Sequence, residues 1–199
     1  MRKNLVIAVC GLFIFTLLSC AKEKETVIES GTASPGEKGY AHRITVEDIT
    51  FNWSVEGSDL KASVRAKTPG WVGAGFNPSE GMKDANFIIG YVKDGVATVR
   101  NDHGASKTIH KSNVDLGGAE HVSNTGGEMK NDETEIRFTI PLKTGDRLDR
   151  PINANGDTVV LLAYGKNTRM SQKHSFRIRM HLNLTTGVYS ITLKKRDEK

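Results

Sequence analysis

An all-β fold, an antiparallel β-sandwich, is what this sequence predicts. Three observations carry that expectation. From residue 41 onward, short runs alternate apolar and polar residues. Turn-forming clusters separate the runs, and the chain holds 20 glycines against 5 prolines. After the N-terminus no run repeats its apolar residues at helical spacing. With 199 residues, 37% of them hydrophobic and 26% charged, there is material for one core and too much charge for a multi-span membrane protein.

The strands follow in order. In Ile49 to Val55 the residues Ile49, Phe51, Trp53 and Val55 share one face. After Glu56-Gly57-Ser58-Asp59 the alternation resumes with Leu60, Ala62, Val64 and Ala66, which together read as a hairpin. Gly70 to Phe76 is a strand whose glycines allow another group close to its backbone. Ala85 to Val92 and Val96 to Arg100 flank Lys93-Asp94-Gly95, a second hairpin signal. Glu133 to Ile140, Thr158 to Tyr164, Phe176 to Leu184 and Val188 to Leu193 complete the set, the last two joined through Thr185-Thr186-Gly187. Between Asp102 and Asn131 the pattern is weak, which predicts loops around one or two short strands. Regular spacing without intervening helices argues for two sheets over one core.

The first forty residues have a different character. Arg2 and Lys3 precede an apolar run from Leu5 to Leu18, shorter than the ~20 residues of a membrane span and suited to a signal peptide. Leu17-Leu18-Ser19-Cys20 resembles the bacterial lipobox. That resemblance implies cleavage before Cys20 and a lipid on its sulfur, so residues 1–19 are expected to be removed. Cys10 would leave with them, and the mature chain would have no disulfide. Ala21 follows the cysteine; the absence of Asp there favours the outer membrane over the inner. Residues 20–40 are expected to be the lipidated cysteine and a flexible linker, 41–194 the sandwich and 195–199 a basic tail. Localisation in the bacterial cell envelope, facing periplasm or exterior, follows.

The sequence pI of about 9.2 overstates the charge of the mature chain. Without Arg2 and Lys3, 26 basic residues face 23 acidic ones, a net of about +3. No nucleic-acid motif is present, and no nucleic-acid partner is expected of an exported chain.

Three segments together resemble the DOMON family. The first is Gly70-Trp71-Val72-Gly73-Ala74-Gly75-Phe76, then Gly81-Met82-Lys83-Asp84-Ala85-Asn86 and Ile89-Gly90-Tyr91-Val92. The second is Phe138-Thr139-Ile140-Pro141-Leu142 with Gly145-Asp146-Arg147-Leu148-Asp149. The third is Leu162-Ala163-Tyr164-Gly165, then His174 and a strand ending Leu182-Asn183-Leu184. The resemblance spans roughly residues 41 to 193. It implies a sandwich that binds haem b or, in some members, sugars, and it places the axial ligands of a haem iron on Met82 and His174.

That pair suits its chemistry. Iron held by a thioether and an imidazole has both axial positions filled, which favours electron transfer over oxygen activation, and the soft sulfur raises the potential. Without a Cys-x-x-Cys-His motif the haem would be non-covalent. Both residues fall at strand ends, where a sandwich would open to admit a flat cofactor. His181 competes with His174; Met170 and Lys173 are alternative donors; Arg177 and Arg179 are candidates to pair with propionates. Trp71, Phe76, Phe87 and Tyr91 line either a haem pocket or the core. His103, His110 and His121 do not cluster. Asp146 and Asp149 read as turn residues, and no catalytic constellation stands out, so an electron-transfer or binding protein is expected rather than an enzyme. The leading expectation is a membrane-anchored cytochrome with a redox partner protein. Its alternatives are a module for a sugar or other small ligand, and an envelope interaction domain.

Overall fold

The computed structural model describes residues 26–194. The expected signal peptide 1–19, the expected lipidation site Cys20 and the tail 195–199 lie outside the described residues. The chain forms two antiparallel sheets around one core.

The strands are β1 (Thr26–Thr32), β2 (Ser34–Pro35), β3 (His42–Val46), β4 (Ile49–Glu56), β5 (Asp59–Ala66), β6 (Val72–Phe76) and β7 (Asn86–Lys93). They continue as β8 (Val96–His103), β9 (Lys111–Ser112), β10 (Ser123–Lys130), β11 (Glu133–Pro141), β12 (Thr158–Tyr164), β13 (Phe176–Leu182) and β14 (Val188–Lys194). The larger sheet runs β1-β14-β13-β12-β6-β7-β8-β9 and the smaller β10-β11-β5-β4-β3-β2. Both predicted hairpins are present: Val55 pairs with Leu60 across the β4–β5 turn, and Val92 with Ala97 across β7–β8.

Alternation decides what is inside. Phe51 and Trp53 from β4, Val64 from β5, Phe76 from β6, Phe138 from β11, Leu162 from β12 and Met180 from β13 point between the sheets. Trp53 stacks on Phe51 with centroids 5.1 Å apart and donates its indole N–H to Leu184 O at 2.8 Å, so its burial leaves no orphan donor. Each such side chain contributes about 1.5–3 kcal/mol when fully buried. The interior is thus filled by side chains.

The sandwich begins well before residue 41. Residues 26–40, expected as linker, are folded. β1 pairs with β14 from Thr26↔Lys194 to Thr32↔Val188. The following segment then straps the outer face of the smaller sheet. Glu37 N donates to Asn52 Oδ1 and Ala41 N to Ser54 Oγ. The Glu37 carboxylate pairs with Arg43 and Arg65, and Lys38 with Glu128 and Glu135. A charged, glycine-containing stretch reads as solvated until its partners, up to 97 residues away, are in place.

Candidate functional site

The outer face of the larger sheet collects the residues that the sequence singles out. Val72, Ala74 and Phe76 face the core, so Gly73 and Gly75 face outward. Register then sets their neighbours. Gly75 lies between Leu161 and Phe87, and Gly73 between Ala163 and Ile89. Arg177 pairs with Ala163 and Arg179 with Leu161, and these two arginines edge the same face. The result is a shallow apolar trough with a glycine floor and a cationic flank. Phe87 lies over the floor: a Cβ at Gly75 would sit 2.3 Å from its ring. Ile89 crowds Gly73 in the same way, with a Cβ there 3.3 Å from its side chain.

Met82 closes one end of this trough. It sits in the β6–β7 connection, which begins at Asn77 beyond Phe76, and it is half-buried. The loop is pinned by backbone hydrogen bonds: Met82 N donates to Lys107 O at 3.0 Å, Asp84 N to Gly104 O at 2.8 Å and Ser79 N to Lys83 O at 2.8 Å. Asn77, Gly81 and Asp84 adopt left-handed conformations that let nine residues fold this tightly.

His174 closes the other end. The β12–β13 connection leaves Tyr164, and the half-buried His174 precedes Phe176, which pairs with Tyr164. Tyr164 in turn pairs with Val72, so His174 lies at the Val72 end of β6 and Met82 at the Phe76 end. Five residues of strand separate those ends by about 13 Å. The structure therefore places the loops that carry the two candidates at opposite ends of β6. Burial, with Arg177 and Lys173 beside it, holds the His174 ring below its ordinary 6.5. The ring is accordingly neutral at pH 7, the form in which imidazole binds a metal.

The other candidates separate cleanly. His181 is exposed on the same outer face and pairs with Asp157 at 2.8 Å. Met170 and Lys173 lie in the His174 loop, half-buried and exposed respectively. Phe76 is core, whereas Trp71 precedes β6 with the parity of Gly73 and Gly75, and Phe87 and Tyr91 face outward with them. Trp71 is 4% exposed and its Nε1 has no hydrogen-bond partner among the described residues. A Cβ at Gly165 would meet that nitrogen at 2.2 Å, which explains the glycine. Asp146 does act as a turn residue: its carboxylate accepts from Leu148 N and Ala119 N, both at 2.9 Å. Asp149 is instead a buried acceptor for Asn113 and Asn101.

Between the sheets Trp53, Phe51, Phe76, Phe138, Leu162 and Met180 are essentially inaccessible to solvent, so side chains fill the middle of the core. On the outer face Gly73 and Gly75 lie beneath Ile89 and Phe87, between the Met82 and His174 loops. The trough's donors are one thioether and one neutral imidazole, its floor lacks Cβ atoms, and its cationic flank suits carboxylates. Met82 and His174 would hold a haem iron, and Arg177 and Arg179 its propionates.

Sequence reasoning missed a buried pair beside this face. Asp102 is fully buried, accepts from His110 Nδ1 at 2.6 Å and pairs with Arg100 at 2.7 Å. His110 also packs on Phe87, ring centroids 5.6 Å apart. No motif spacing marks an Asp and a His eight residues apart; only the β8–β9 pairing joins them. Elsewhere, an open cavity of about 430 Å³ on the outer face of the smaller sheet is lined by Tyr40, Glu56, Asp59, Lys61, Asn124 and Arg137, among others. No group of three or more His, Cys, Asp or Glu residues among those described is arranged to hold a metal ion.

Comparison with known proteins sets these features in a family. The cytochrome b domain of pyranose dehydrogenase from Coprinopsis cinerea superposes with a TM-score of 0.49 at 14% identity, covering 82% of this chain and 86% of that one. The cytochrome domain of Myriococcum thermophilum cellobiose dehydrogenase gives 0.45 at 9% identity over 73% of this chain and 74% of that one. A family 9 carbohydrate-binding module from Caldicellulosiruptor kristjanssonii, in complex with glucose, gives 0.40 at 12% identity over 86% and 87%. In sequence, the human DBH-like monooxygenase protein 1 is 33% identical over 128 residues, 61% of this chain; the chain spans only 20% of that relative. The DOMON domain model matches residues 45–165, more than half of the chain, and the chain belongs to the DOMON domain family.

Proposed function

We propose that this chain is a lipid-anchored, b-type cytochrome-like module of the bacterial cell envelope that exchanges single electrons with a redox partner protein. The observation that supports it best is the outer trough, where a thioether loop and an imidazole loop close the two ends of one glycine-floored apolar face. Haem bound there would supply a one-electron couple. The chain's own residues do the rest. Met82 and His174 would hold the iron, burial keeps His174 unprotonated, and Phe87 over Gly75 would line the ring. Arg177 and Arg179 meet the propionates through charge-assisted hydrogen bonds. Trp71 offers a buried N–H without an acceptor among the described residues. Cys20 carries the lipid, and Ala21 rather than Asp after it favours the outer membrane.

Titration of the unlipidated chain with haemin tests this reading. Saturable binding at one haem per chain, with a sharp Soret band, is the expected result; absence of saturable binding by the folded chain would overturn it. A second reading rests on the cavity of the smaller sheet. Tyr40 with Lys61, Asn124, Arg137 and two carboxylates would suit a polar small ligand such as a sugar. Calorimetry with a panel of monosaccharides against Tyr40→Ala separates the two readings.

A further inference from the structure

The β12–β13 connection and the outer face of β13 carry five exposed cations, Lys166, Arg169, Lys173, Arg177 and Arg179, and none forms an ion pair among the described residues. No acidic residue occurs anywhere from Thr158 to Arg196. Of the acids among the described turns at this end of the molecule, Glu47, Asp48, Asp132 and Glu133 lie on the smaller sheet, and Asp94 lies at the far side of the larger one, between β7 and β8. Glu23, Glu25, Asp197 and Glu198 adjoin the paired ends Thr26 and Lys194 in sequence, each pair among lysines or arginine. The Lys166–Arg179 segment itself carries no acid.

The chain also begins its fold at this corner. β1 is the edge strand of the larger sheet, and Thr26 pairs with Lys194. β14 runs antiparallel to β13, so Thr26 lies at the end from which β13 starts, two strands away. Two strands are about 10 Å. Five residues, Ala21 to Glu25, separate Thr26 from Cys20. They reach at most about 20 Å when fully extended. A linker of twenty residues would let the domain tumble freely; five residues keep this corner near the anchor.

We propose that Lys166, Arg169 and Lys173, on the exposed β12–β13 connection, form a docking surface for anionic phospholipid headgroups, and that it holds the His174 end of the domain against the bilayer into which Cys20 inserts. The inference rests on the lipid-anchor reading of Cys20 and not on haem. Cations on a short tether stay within a Debye length of the surface, about 8 Å at physiological ionic strength, where each adds to the attraction. The Met82 end then faces away from the membrane.

The test uses the unlipidated chain from Ala21, which retains every described strand, and co-sedimentation with phosphatidylcholine vesicles with or without about one-third phosphatidylglycerol. Partitioning at least tenfold stronger onto the anionic vesicles, and lost in high salt, is expected. Lys166→Glu, Arg169→Glu and Lys173→Glu combined should abolish it, because all three are exposed and their reversal leaves the fold intact by circular dichroism. Reversal of the exposed Lys111, Lys130 and Lys143 should leave it within a factor of about three, since these lie away from the corner. Equal partitioning onto neutral and anionic vesicles, or retention by the first triple variant, overturns the proposal. So does no partitioning at all, which would leave the cations to an acidic protein. Metabolic labelling of Cys20 with a fatty acid reports on the anchor separately, so failure of one is not read as failure of the other.

Discussion

The loop that carries Met82 and the loop that carries His174 close the same trough but are built differently. The Met82 loop is tied along its length by backbone hydrogen bonds to itself and to residues 104–107, with three left-handed residues setting its path. The His174 loop is tied at its roots, through Trp71 N to Asn167 O, Gly165 N to Trp71 O and Ser175 N to Tyr164 O, with one further turn from Gln172 N to Arg169 O. Much of its tip, Ser171 to Lys173, is exposed. One candidate is therefore held along its loop, while the other sits on a segment tied mainly at its roots. If a planar cofactor binds as proposed, the first would set its position and the second would have room to adjust.

The largest effect that would break this comparison is Gly104→Ala. A Cβ there would lie 1.7 Å from the carbonyl oxygen of Met82, so the Met82 loop must move. Destabilisation of about 3 kcal/mol in urea unfolding is expected, together with loss of any spectral signature of sulfur ligation. Next comes the ligand pair itself. His174→Ala should lose most of the bound haem. Met82→Ala should keep a His-held, high-spin haem that takes up carbon monoxide, which absorption spectra distinguish directly. If His181→Ala empties the site instead, His181 is the ligand.

A third variant probes a segment held by ion pairs rather than by backbone. Hydrogen bonding from Arg43, with Arg65 nearby, holds the Glu37 carboxyl below its ordinary 4.5. A depressed carboxylate stabilises the fold above its unfolded value, and that stability is lost as pH falls through the folded value. Stability measured from pH 7 down to pH 3 should therefore drop less in Glu37→Gln than in the parent, by under about 1 kcal/mol, because solvent screens the pair. The smallest effect belongs to the His174 loop. Gln172→Ala removes a side-chain contact to Asn167 yet should change stability by less than about 0.5 kcal/mol, since the tip is exposed. A loss comparable to that of Gly104→Ala would erase the contrast between the loops.

Where both faces of a strand are distinct, the sequence showed it. β13 buries alternate residues, and β4, β5 and β11 alternate apolar with polar side chains even where both faces are covered, so all four were legible from alternation, as was the glycine pair of β6 as a place of close approach. β1 and β10 were not. Both are edge strands with one neighbour, and their apolar residues Ile28 and Met129 are 71% and 46% exposed, so no buried face imposed a period on them. β3 escaped because its five residues bury only Ile44 and Val46 well. The two ligand candidates were legible through the family motif, but not their placement at opposite ends of an outer face. That depends on strand order, which pairs β12 with β6 across more than eighty residues. The strap over the smaller sheet and the Asp102–His110 pair were invisible for the same reason.

The most direct test of the account is the absorption spectrum of the haemin-loaded chain, oxidised and then reduced, beside its Met82→Ala and His174→Ala variants. The account predicts a low-spin six-coordinate haem with resolved α and β bands on reduction. It predicts a high-spin spectrum for Met82→Ala and little bound haem for His174→Ala. A folded chain that gives no Soret band, or one whose spectrum neither substitution changes, would contradict it.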